Sequence, residues 1–251
     1  MLSYSAKTGE KLWSSRGLTW QVKSSAIVVG DTTYAAGAAP GADAGQRQQL
    51  LSYEEAVQKG DANGDKKISE QEAIDNGWRH KGGWGLVDLD DDGLLNQRDW
   101  EFFRARRGAH NTTVAIRPPR GARGDVTEKA VLWKYEKAVP VVSSPLLYQG
   151  VLYTIKDGGI LTAFDPETGT VVKQGRLQVA IDTYFSSPVA ADGKIYVISQ
   201  AGKVSVVKPG ADWETLAVND LGEECFGTPA IGDGKLYVRT AGALYAFADG
   251  K

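Results

Sequence analysis

The chain has 251 residues, of which 42% are hydrophobic and 30 are glycine, so it is long enough to bury a sizeable core and rich in turn-forming residues. Its 29 basic and 31 acidic residues give a formal net charge of -2, which provides no overall field that would attract nucleic acid or anionic lipid. Its apolar runs are far shorter than the roughly 20 residues needed for a transmembrane segment, and its first residues lack the basic and apolar segments of a signal peptide.

The first predicted elements are short strands. The segment from Leu2 to Trp13 predicts two strands on either side of a Thr8-Gly9 turn. A second hairpin is predicted from Ser24 to Tyr34, where the apolar run Ile27-Val28-Val29 precedes a Gly30-Asp31 turn. Apolar runs on both sides of such turns are typical of hairpins, because glycine adopts positive φ at little cost.

A polar segment from about residue 38 to residue 110 interrupts these strands. At its start, Gln46 to Lys59 predicts a helix, because apolar residues recur on one helical face. The next twelve residues, Asp61 to Glu72, place oxygen side chains at positions 1, 3, 5, 9 and 12, which is the EF-hand pattern for wrapping a hard cation in oxygen atoms. The predicted metal ligands are Asp61, Asn63, Asp65, Ser69, Glu72 and, through its backbone carbonyl at position 7, Lys67.

A second loop of the same kind runs from Asp88 to Asp99. Ile68 and Leu95 both occupy position 8, where paired EF-hand loops join through a short β contact, so the two loops are expected to face each other. A helix is predicted after the second loop, around Trp100. The predicted ligands of this loop are Asp88, Asp90, Asp92, Asn96, Asp99 and the backbone carbonyl of Leu94.

Both loops depart from the usual pattern. Lys66 stands where glycine normally provides positive φ, at an expected cost of about 1 kcal/mol. Asp99 replaces the bidentate glutamate, so the second loop should bind calcium more weakly or shift toward magnesium. The expected cofactor is Ca²⁺, with Mg²⁺ as an alternative in the second loop, and its expected role is to order the insertion. A regulatory role is one alternative, and acidic turns that bind no metal are another.

After the insertion, strands are predicted at Thr112 to Ile116 and Ala130 to Trp133, and three repeats follow. Each repeat begins with two small residues and a proline and continues as three apolar strands separated by glycine-containing turns. The prolines, at positions 145, 188 and 229, are 43 and 41 residues apart, which is the length of one four-stranded propeller blade.

This spacing also sets the predicted domain boundaries. Ala26 lies 119 residues before Pro145, which is one repeat plus roughly 75 inserted residues. We therefore predict an all-β fold with about four propeller blades in residues 1–37 and 111–251, and a small α-helical EF-hand insertion in residues 38–110. The last repeat has no predicted fourth strand. Either Glu10 to Trp13 supplies it and closes a small ring, or the chain is part of a larger propeller, which the redundant strand at Leu2 favours.

The run Phe164-Asp165-Pro166-Glu167-Thr168-Gly169, and Leu12-Trp13 after Thr8-Gly9, resemble the repeat motif of PQQ-like propellers. That family includes quinoprotein dehydrogenases and the propeller of an outer-membrane assembly lipoprotein. The resemblance covers the chain outside residues 38–110, and its motifs are specific for the fold rather than for an activity. Two copies depart from the motif, since Ser5 replaces the usual aspartate and Lys208-Pro209-Gly210 replaces the usual turn.

The resemblance leaves two functions open. Quinoprotein dehydrogenases hold PQQ on a tryptophan near calcium, often beneath a disulfide of adjacent cysteines, whereas this chain has the single Cys225, which we expect to be a buried thiol. Its two histidines, His80 and His110, lie at the edges of the insertion, and no nucleophile stands in a recognisable setting. Tryptophans 13, 133 and 213 are expected to pack between blades.

The sequence therefore favours a non-enzymatic, calcium-binding scaffold without PQQ, whose loops or central channel bind a protein or a glycan. A fragment of a PQQ-dependent dehydrogenase is the alternative. Weak calcium loops fill only where calcium is millimolar, so we expect a periplasmic or extracellular location. Unpaired faces at open propeller edges would also allow the chain to form oligomers.

Overall fold

The computed structural model describes residues 1–19, 21–39, 49–78 and 83–248. The chain divides into two compact units, Met1–Ala39 with Asn111–Lys251, and Pro40–His110. The second unit is therefore inserted into the chain of the first. Within the described ranges, no helix is long and apolar enough to cross a membrane.

The described strands of the first unit form five small sheets. A short helix, α4 (Thr127–Ala130), precedes strand β9, and strands β5 and β6 belong to the second unit. The strands of the first unit are β1 (Leu2–Tyr4), β2 (Lys11–Ser14), β3 (Ile27–Val29), β4 (Thr32–Gly37), β7 (Thr112–Ile116), β8 (Gly124–Asp125), β9 (Val131–Tyr135), β10 (Leu146–Tyr148), β11 (Val151–Lys156), β12 (Ile160–Phe164), β13 (Val171–Arg176), β14 (Val189–Ala191), β15 (Lys194–Ile198), β16 (Lys203–Lys208), β17 (Glu214–Asp220), β18 (Ala230–Gly232), β19 (Lys235–Arg239) and β20 (Leu244–Ala248).

Two complete four-stranded sheets, β10 to β13 and β14 to β17, are antiparallel meanders in which consecutive strands pair. Their first hairpins turn at Gln149-Gly150 and Asp192-Gly193, and all four residues have positive φ. Positive φ at both central residues defines a type I′ turn, whose twist matches that of the flanking strands. The third copy of this turn, Asp233-Gly234, has the same geometry and joins β18 to β19. The repeated turns thus fix the same register in each sheet.

The insertion interrupts one sheet between two adjacent strands. This sheet has the order β3-β4-β7-β9, and Gly37 at the end of β4 is paired with Thr112 at the start of β7. Just beyond the strands, the N–H of Ala39 donates to Asn111 Oδ1 at 2.7 Å, and Asn111 Nδ2 donates back to the carbonyl of Ala39 at 3.3 Å. The insertion therefore stands where a hairpin turn would otherwise join β4 to β7.

The small residues before the repeat prolines connect neighbouring sheets. The N–H of Ser25 donates to Ser144 Oγ at 2.9 Å, the N–H of Ser144 donates to Ser187 Oγ at 2.9 Å, and the N–H of Ser187 donates to Thr228 Oγ1 at 3.0 Å. These four residues occupy equivalent positions in their repeats. A hydroxyl at this position therefore satisfies a backbone donor of the preceding sheet, which gives the repeated motif a structural reason.

Apolar side chains fill the spaces between consecutive sheets. Trp133 of β9 stacks on Phe164 of β12 with ring centroids 5.9 Å apart, and its Nε1 donates to the carbonyl of Pro166 at 2.9 Å. Trp213 lies in one core cluster with Tyr153 of β11 and Val197 of β15. Sheets stacked face to face in chain order are the blades of a propeller, so the predicted all-β propeller fold is confirmed.

Other predictions for this unit have mixed outcomes. Cys225 is a free, buried thiol as expected. The alternative in which Glu10 to Trp13 completes the last blade is wrong, because β2 pairs with β1 on one side and with β8 on the other. The last sheet contains β18, β19 and β20. Strand β2 instead forms a short local hairpin with β1 (Leu2–Tyr4), because closing a short loop costs little entropy.

The second unit contains two acidic loops, one between two α-helices and the other between a 3-10 turn and an α-helix. Its described elements are α1 (Tyr53–Gly60), β5 (Ile68–Ser69), α2 (Glu70–Asp75), a 3-10 turn (Trp84–Leu86), β6 (Leu94–Leu95) and α3 (Gln97–Arg107). The helix predicted from Gln46 to Lys59 is shorter than expected and begins at Tyr53, because Ser52 and Glu55 form a capping box that starts it there. Residues 46–48 lie outside the described part of the chain.

The core of this unit is aromatic. Trp100 is fully buried and meets Trp78 edge-on at 5.0 Å and Phe103 at 5.7 Å between ring centroids. The indole Nε1 of Trp100 donates to the carbonyl of Leu51 at 3.0 Å. This packing fixes α3 against the segment that leads into α1, and so holds the two loops in one small body.

Candidate functional site

The two acidic loops are joined at their eighth positions. Ile68 in β5 pairs with Leu95 in β6 in an antiparallel bridge, and both side chains are fully buried. Each loop is flanked by a helix on its C-terminal side, α2 after the first and α3 after the second. The sequence-based expectation that the two loops face each other through this contact is therefore confirmed by the pairing.

The first position of each loop accepts backbone hydrogen bonds from within the loop. Asp61 Oδ1 accepts from the N–H of Gly64 at 2.7 Å, and Asp61 Oδ2 accepts from the N–H of Lys66 at 2.8 Å. In the second loop, Asp88 Oδ2 accepts from the N–H of Gly93 at 2.7 Å, which is the equivalent of the bond to Lys66. Asp88 Oδ1 is buried and has no hydrogen-bond donor.

The twelfth position closes each loop in the same way. Glu72 accepts from the N–H groups at positions 2 and 9 of its loop, at 2.7 and 2.8 Å. Asp99 accepts from the N–H groups at the same two positions of the second loop, both at 3.2 Å. The shorter side chain of Asp99 therefore makes the same two bonds over longer distances.

Carboxylates of the second loop converge. One oxygen each from Asp88, Asp90 and Asp99 lies within 4.8 Å of the others, and this is the one cluster of three such groups among the described residues. Asp88 is 5% exposed and Asp99 is 1% exposed. Loss of solvation raises the pKa of Asp90 most, followed by the charges of Asp92 and Asp99, a hydrogen bond with Asp88 and the charge of Asp88. The arrangement concentrates negative charge around a space lined by oxygen atoms.

Four other predicted side-chain ligands contact residues of their own loop: Asn63, Asp65, Ser69 and Asn96. Lys67 and Leu94, which were predicted to offer backbone carbonyls, lie directly before β5 and at the start of β6. The side-chain contacts are Asn63 Nδ2 to Asp65 Oδ2 at 3.0 Å, Ser69 Oγ to Glu72 Oε2 at 2.8 Å, and Asn96 Nδ2 to Asp90 Oδ2 at 3.1 Å.

The backbone at position 6 has positive φ in both loops, 62° at Lys66 and 85° at Gly93. Each carbonyl at this position accepts a hydrogen bond from an aromatic side chain. The Tyr53 hydroxyl donates to Lys66, and the Trp84 Nε1 donates to Gly93 at 2.9 Å. These two aromatic donors were not predicted, because neither falls within the twelve-residue pattern.

A salt bridge crosses from one loop to the other. Lys67 Nζ of the first loop lies 2.5 Å from Asp92 Oδ2 of the second. The hydrogen bond from Lys67 lowers the pKa of Asp92, and the same bond raises the pKa of Lys67. The sequence predicted both residues as ligands of separate metal ions but did not predict that they contact each other.

The propeller unit has an exposed apolar loop between β13 and β14. Val179 is 77% exposed and Ile181 is 71% exposed, and Val179 has a φ of 60°, which is strained for a β-branched residue. The loop backbone is nevertheless held in place, because the hydroxyl of the buried Tyr184 donates to the carbonyl of Ala180 at 2.7 Å. Burial raises the pKa of that hydroxyl. No pattern in the sequence predicted this surface.

The sequence places His80 and His110 at the edges of the insertion. His80 lies outside the described residues, and His110 is partly buried at the end of the insertion.

Comparisons with known proteins agree with this fold. The family model described as "Outer membrane protein assembly factor BamB" matches residues 57–249. A protein of that description from Shewanella oneidensis is 38% identical over 77 residues, which are 30% of this chain and 19% of that protein.

Two solved structures are also similar to this chain. The crystal structure of BamB from Moraxella catarrhalis matches 54% of this chain and 39% of that chain, with 19% identity and a TM-score of 0.43. The computationally designed Ika8 protein matches 98% of this chain and 51% of that chain, with 10% identity and a TM-score of 0.54. The chain thus spans well under two thirds of the length of these relatives.

Proposed function

Because this chain belongs to the BamB-like family of PQQ-like repeat propellers, we propose that it is a calcium-binding, non-enzymatic scaffold that presents a surface to another protein. Family membership accounts for the blades. The two parts of the proposal that go further are the metal site in the insertion and the protein-binding loop on the propeller, and each stands on its own observation.

The metal proposal rests on the unpaired oxygen of Asp88. A buried carboxylate oxygen without a donor costs several kcal/mol of desolvation unless a cation accompanies it. Two oxygens bound to one calcium ion, each at about 2.4 Å, lie no more than about 4.8 Å apart, and the oxygens of Asp88, Asp90 and Asp99 meet that limit. Asp99 in place of glutamate also admits magnesium, which needs fewer protein ligands.

Calorimetric titration of the full chain with calcium chloride and magnesium chloride, after removal of divalent ions, tests this proposal. We expect micromolar to millimolar affinity. Asp88→Asn should weaken binding to the second loop by at least about tenfold, since it replaces a charged ligand with a neutral one. Asp91→Asn is the matched control, because Asp91 is an exposed neighbour at a non-ligand position. Absence of binding heat at millimolar calcium would contradict the proposal.

The proposed role of calcium is to order the insertion. A ligand that binds only the folded state at 100 times its Kd stabilises that state by about 2.7 kcal/mol. We therefore expect calcium to raise the unfolding temperature of the second unit. Asp61→Ala with Asp88→Ala should abolish that increase, because each removes the first ligand of one loop.

The protein-binding proposal rests on the loop that carries Val179 and Ile181. Both side chains are exposed and aliphatic, and the hydrogen bond from Tyr184 already holds the loop in place. They are suited to insertion into an apolar pocket, because the loop loses little conformational entropy on binding. Sugar rings bind best on aromatic faces, so aliphatic residues favour a protein over a glycan. The strained φ of Val179 supports a binding role, since strain tends to be retained at functional sites.

A photo-reactive residue placed at position 179 of the full chain tests this surface in cells that naturally produce the protein. We expect a cross-linked partner that Ile181→Asp removes. The matched control is position 172, because Val172 is also an exposed valine but lies on the outer strand β13. Equal cross-linking at both positions would contradict the proposal.

We also propose a periplasmic or extracellular location. Calcium is millimolar outside the cytoplasm, where weak loops would fill, and the Shewanella relative is named as an outer membrane protein assembly factor. Cell fractionation tests this location. The PQQ-dependent dehydrogenase alternative stays a prediction from the resemblance, and dye-linked oxidation of alcohols or sugars with added PQQ and calcium would support it.

A further inference from the structure

We propose that Lys67 of the first loop acts as an internal cation that competes with the divalent ion for Asp92 of the second loop and thereby sets the occupancy of that loop. This inference rests on the proposed calcium binding and extends it to regulation of the same site. The observation that carries it is the 2.5 Å contact between Lys67 Nζ and Asp92 Oδ2.

Both oxygens of Asp92 already accept hydrogen bonds in the ion-free protein. Asp92 Oδ1 accepts from the N–H of Leu94 at 2.9 Å, and Oδ2 is held by Lys67. Asp92 is the predicted ligand at position 5. An ion that binds Asp92 therefore meets the ammonium of Lys67 at Oδ2, whereas it meets no such competitor at Asp88 Oδ1.

The second loop carries a high density of negative charge. The four predicted carboxylate ligands of the second loop, together with the neighbouring Asp91, repel one another without a cation. The ammonium of Lys67 neutralises part of this charge in the ion-free protein. It then lies beside the incoming divalent ion and opposes it, since like charges a few ångströms apart repel even when partly screened by water.

The side chain of Lys67 can move away from Asp92. The side chains of Lys67 and Asp92 are 36% and 35% exposed, so breaking this ion pair and returning the ammonium to water costs little free energy. Its backbone remains part of the first loop, where the N–H of Lys67 donates to Asp65 Oδ1 at 2.8 Å. One residue thus belongs to both loops, through its backbone in the first and its side chain in the second.

The test is calorimetric titration of the full chain with calcium chloride at low and physiological ionic strength. Lys67→Gln should tighten calcium binding to the second loop about three- to tenfold at low salt, and less at higher salt because the repulsion is screened. Asp88→Asn identifies which binding event belongs to this loop. Lys67→Arg keeps the positive charge and should behave like the unchanged protein.

Lys66→Gln is the matched control, because it removes the same charge one residue away. The ion pair with Asp92 is made by Lys67, so Lys66→Gln should leave the affinity of the second loop within about twofold. Calcium binding that Lys67→Gln leaves unchanged or weakens would overturn the inference and leave the proposed function intact. If neither the unchanged protein nor any variant binds calcium, the proposed function fails and the inference fails with it.

Discussion

The two loops of the insertion have the same hydrogen-bond plan and yet differ at their first residue. Asp61 has both oxygens occupied by backbone donors of its own loop, whereas Asp88 has one oxygen occupied and one buried without a donor. The first loop is therefore satisfied by the chain itself, and the second leaves negative charge that a cation would neutralise. Two matches to one sequence pattern can thus differ in how much their folded state depends on metal.

Shortening a buried side chain that joins the two loops should destabilise the second unit more than any other change. Ile68→Ala or Leu95→Ala deletes a fully buried side chain at the contact between β5 and β6, and each should lower the free energy of unfolding of the second unit by about 2–5 kcal/mol. Because the contact is shared, either change should weaken calcium binding to both loops. Thermal unfolding followed by tryptophan fluorescence, with calorimetry, measures this.

Ile68→Val is the graded control for that pair, with an expected loss of about 0.5–1.5 kcal/mol. If Leu95→Ala affected the second loop and left the first unchanged, the two loops would be independent, and the contact would not couple them.

The different hydrogen bonding of Asp61 and Asp88 predicts different effects of the same substitution at these two positions. In the ion-free protein, Asp61→Asn should lower the free energy of unfolding by about 1–3 kcal/mol, because an amide has one acceptor oxygen for the two N–H groups that Asp61 now serves. Asp88→Asn should instead leave stability unchanged or raise it, since it removes a buried charge that has no donor at Oδ1. Denaturant unfolding in chelator measures both.

The same two substitutions should both be harmful when calcium is present, because each removes a charged ligand. Equal losses of stability from both variants in chelator would contradict the difference between the loops.

Sequence reasoning succeeded where a pattern is set by local geometry. The glycine-containing turns Asp192-Gly193 and Asp233-Gly234 lie between apolar runs and predicted hairpins because glycine adopts positive φ at little cost, and the structure has those hairpins. Ile68 and Leu95 were likewise predicted to pair from their shared position in the loop. Each of these predictions uses only local sequence, either the residues of one turn or a position within one loop, so it can be made without knowing distant neighbours.

The same reasoning missed features that depend on distant neighbours. Strands β13 and β17 carry no buried side chains and form because β12 and β16 offer them backbone partners, so their apolar pattern is weak. The ion pair between Lys67 and Asp92 joins residues of two loops, and its geometry exists only once β5 and β6 pair. The exposure of Val179 likewise follows from how the surrounding loop is anchored.

The smallest predicted effect concerns position 6, where the loops differ in residue but not in backbone conformation. Lys66 has a φ of 62° and Gly93 has a φ of 85°, and a side chain in this region costs about 1 kcal/mol relative to glycine. Lys66→Gly should therefore raise the free energy of unfolding of the second unit by up to about 1 kcal/mol, partly offset by the extra freedom of glycine in the unfolded chain. Gly93→Ala should lower it by about 1 kcal/mol.

Gly85→Ala is the control for these two changes. Gly85 lies in the 3-10 turn before the second loop, does not have positive φ, and has open space where a Cβ would be added, so alanine there should be neutral or slightly stabilising. The measurement is denaturant unfolding in chelator, with the three variants compared at one temperature. If Lys66→Gly destabilised the protein while Gly93→Ala did not, the equivalence of the two backbones would fail, because the strain at Lys66 would then be offset by a side-chain contact that Gly93 lacks.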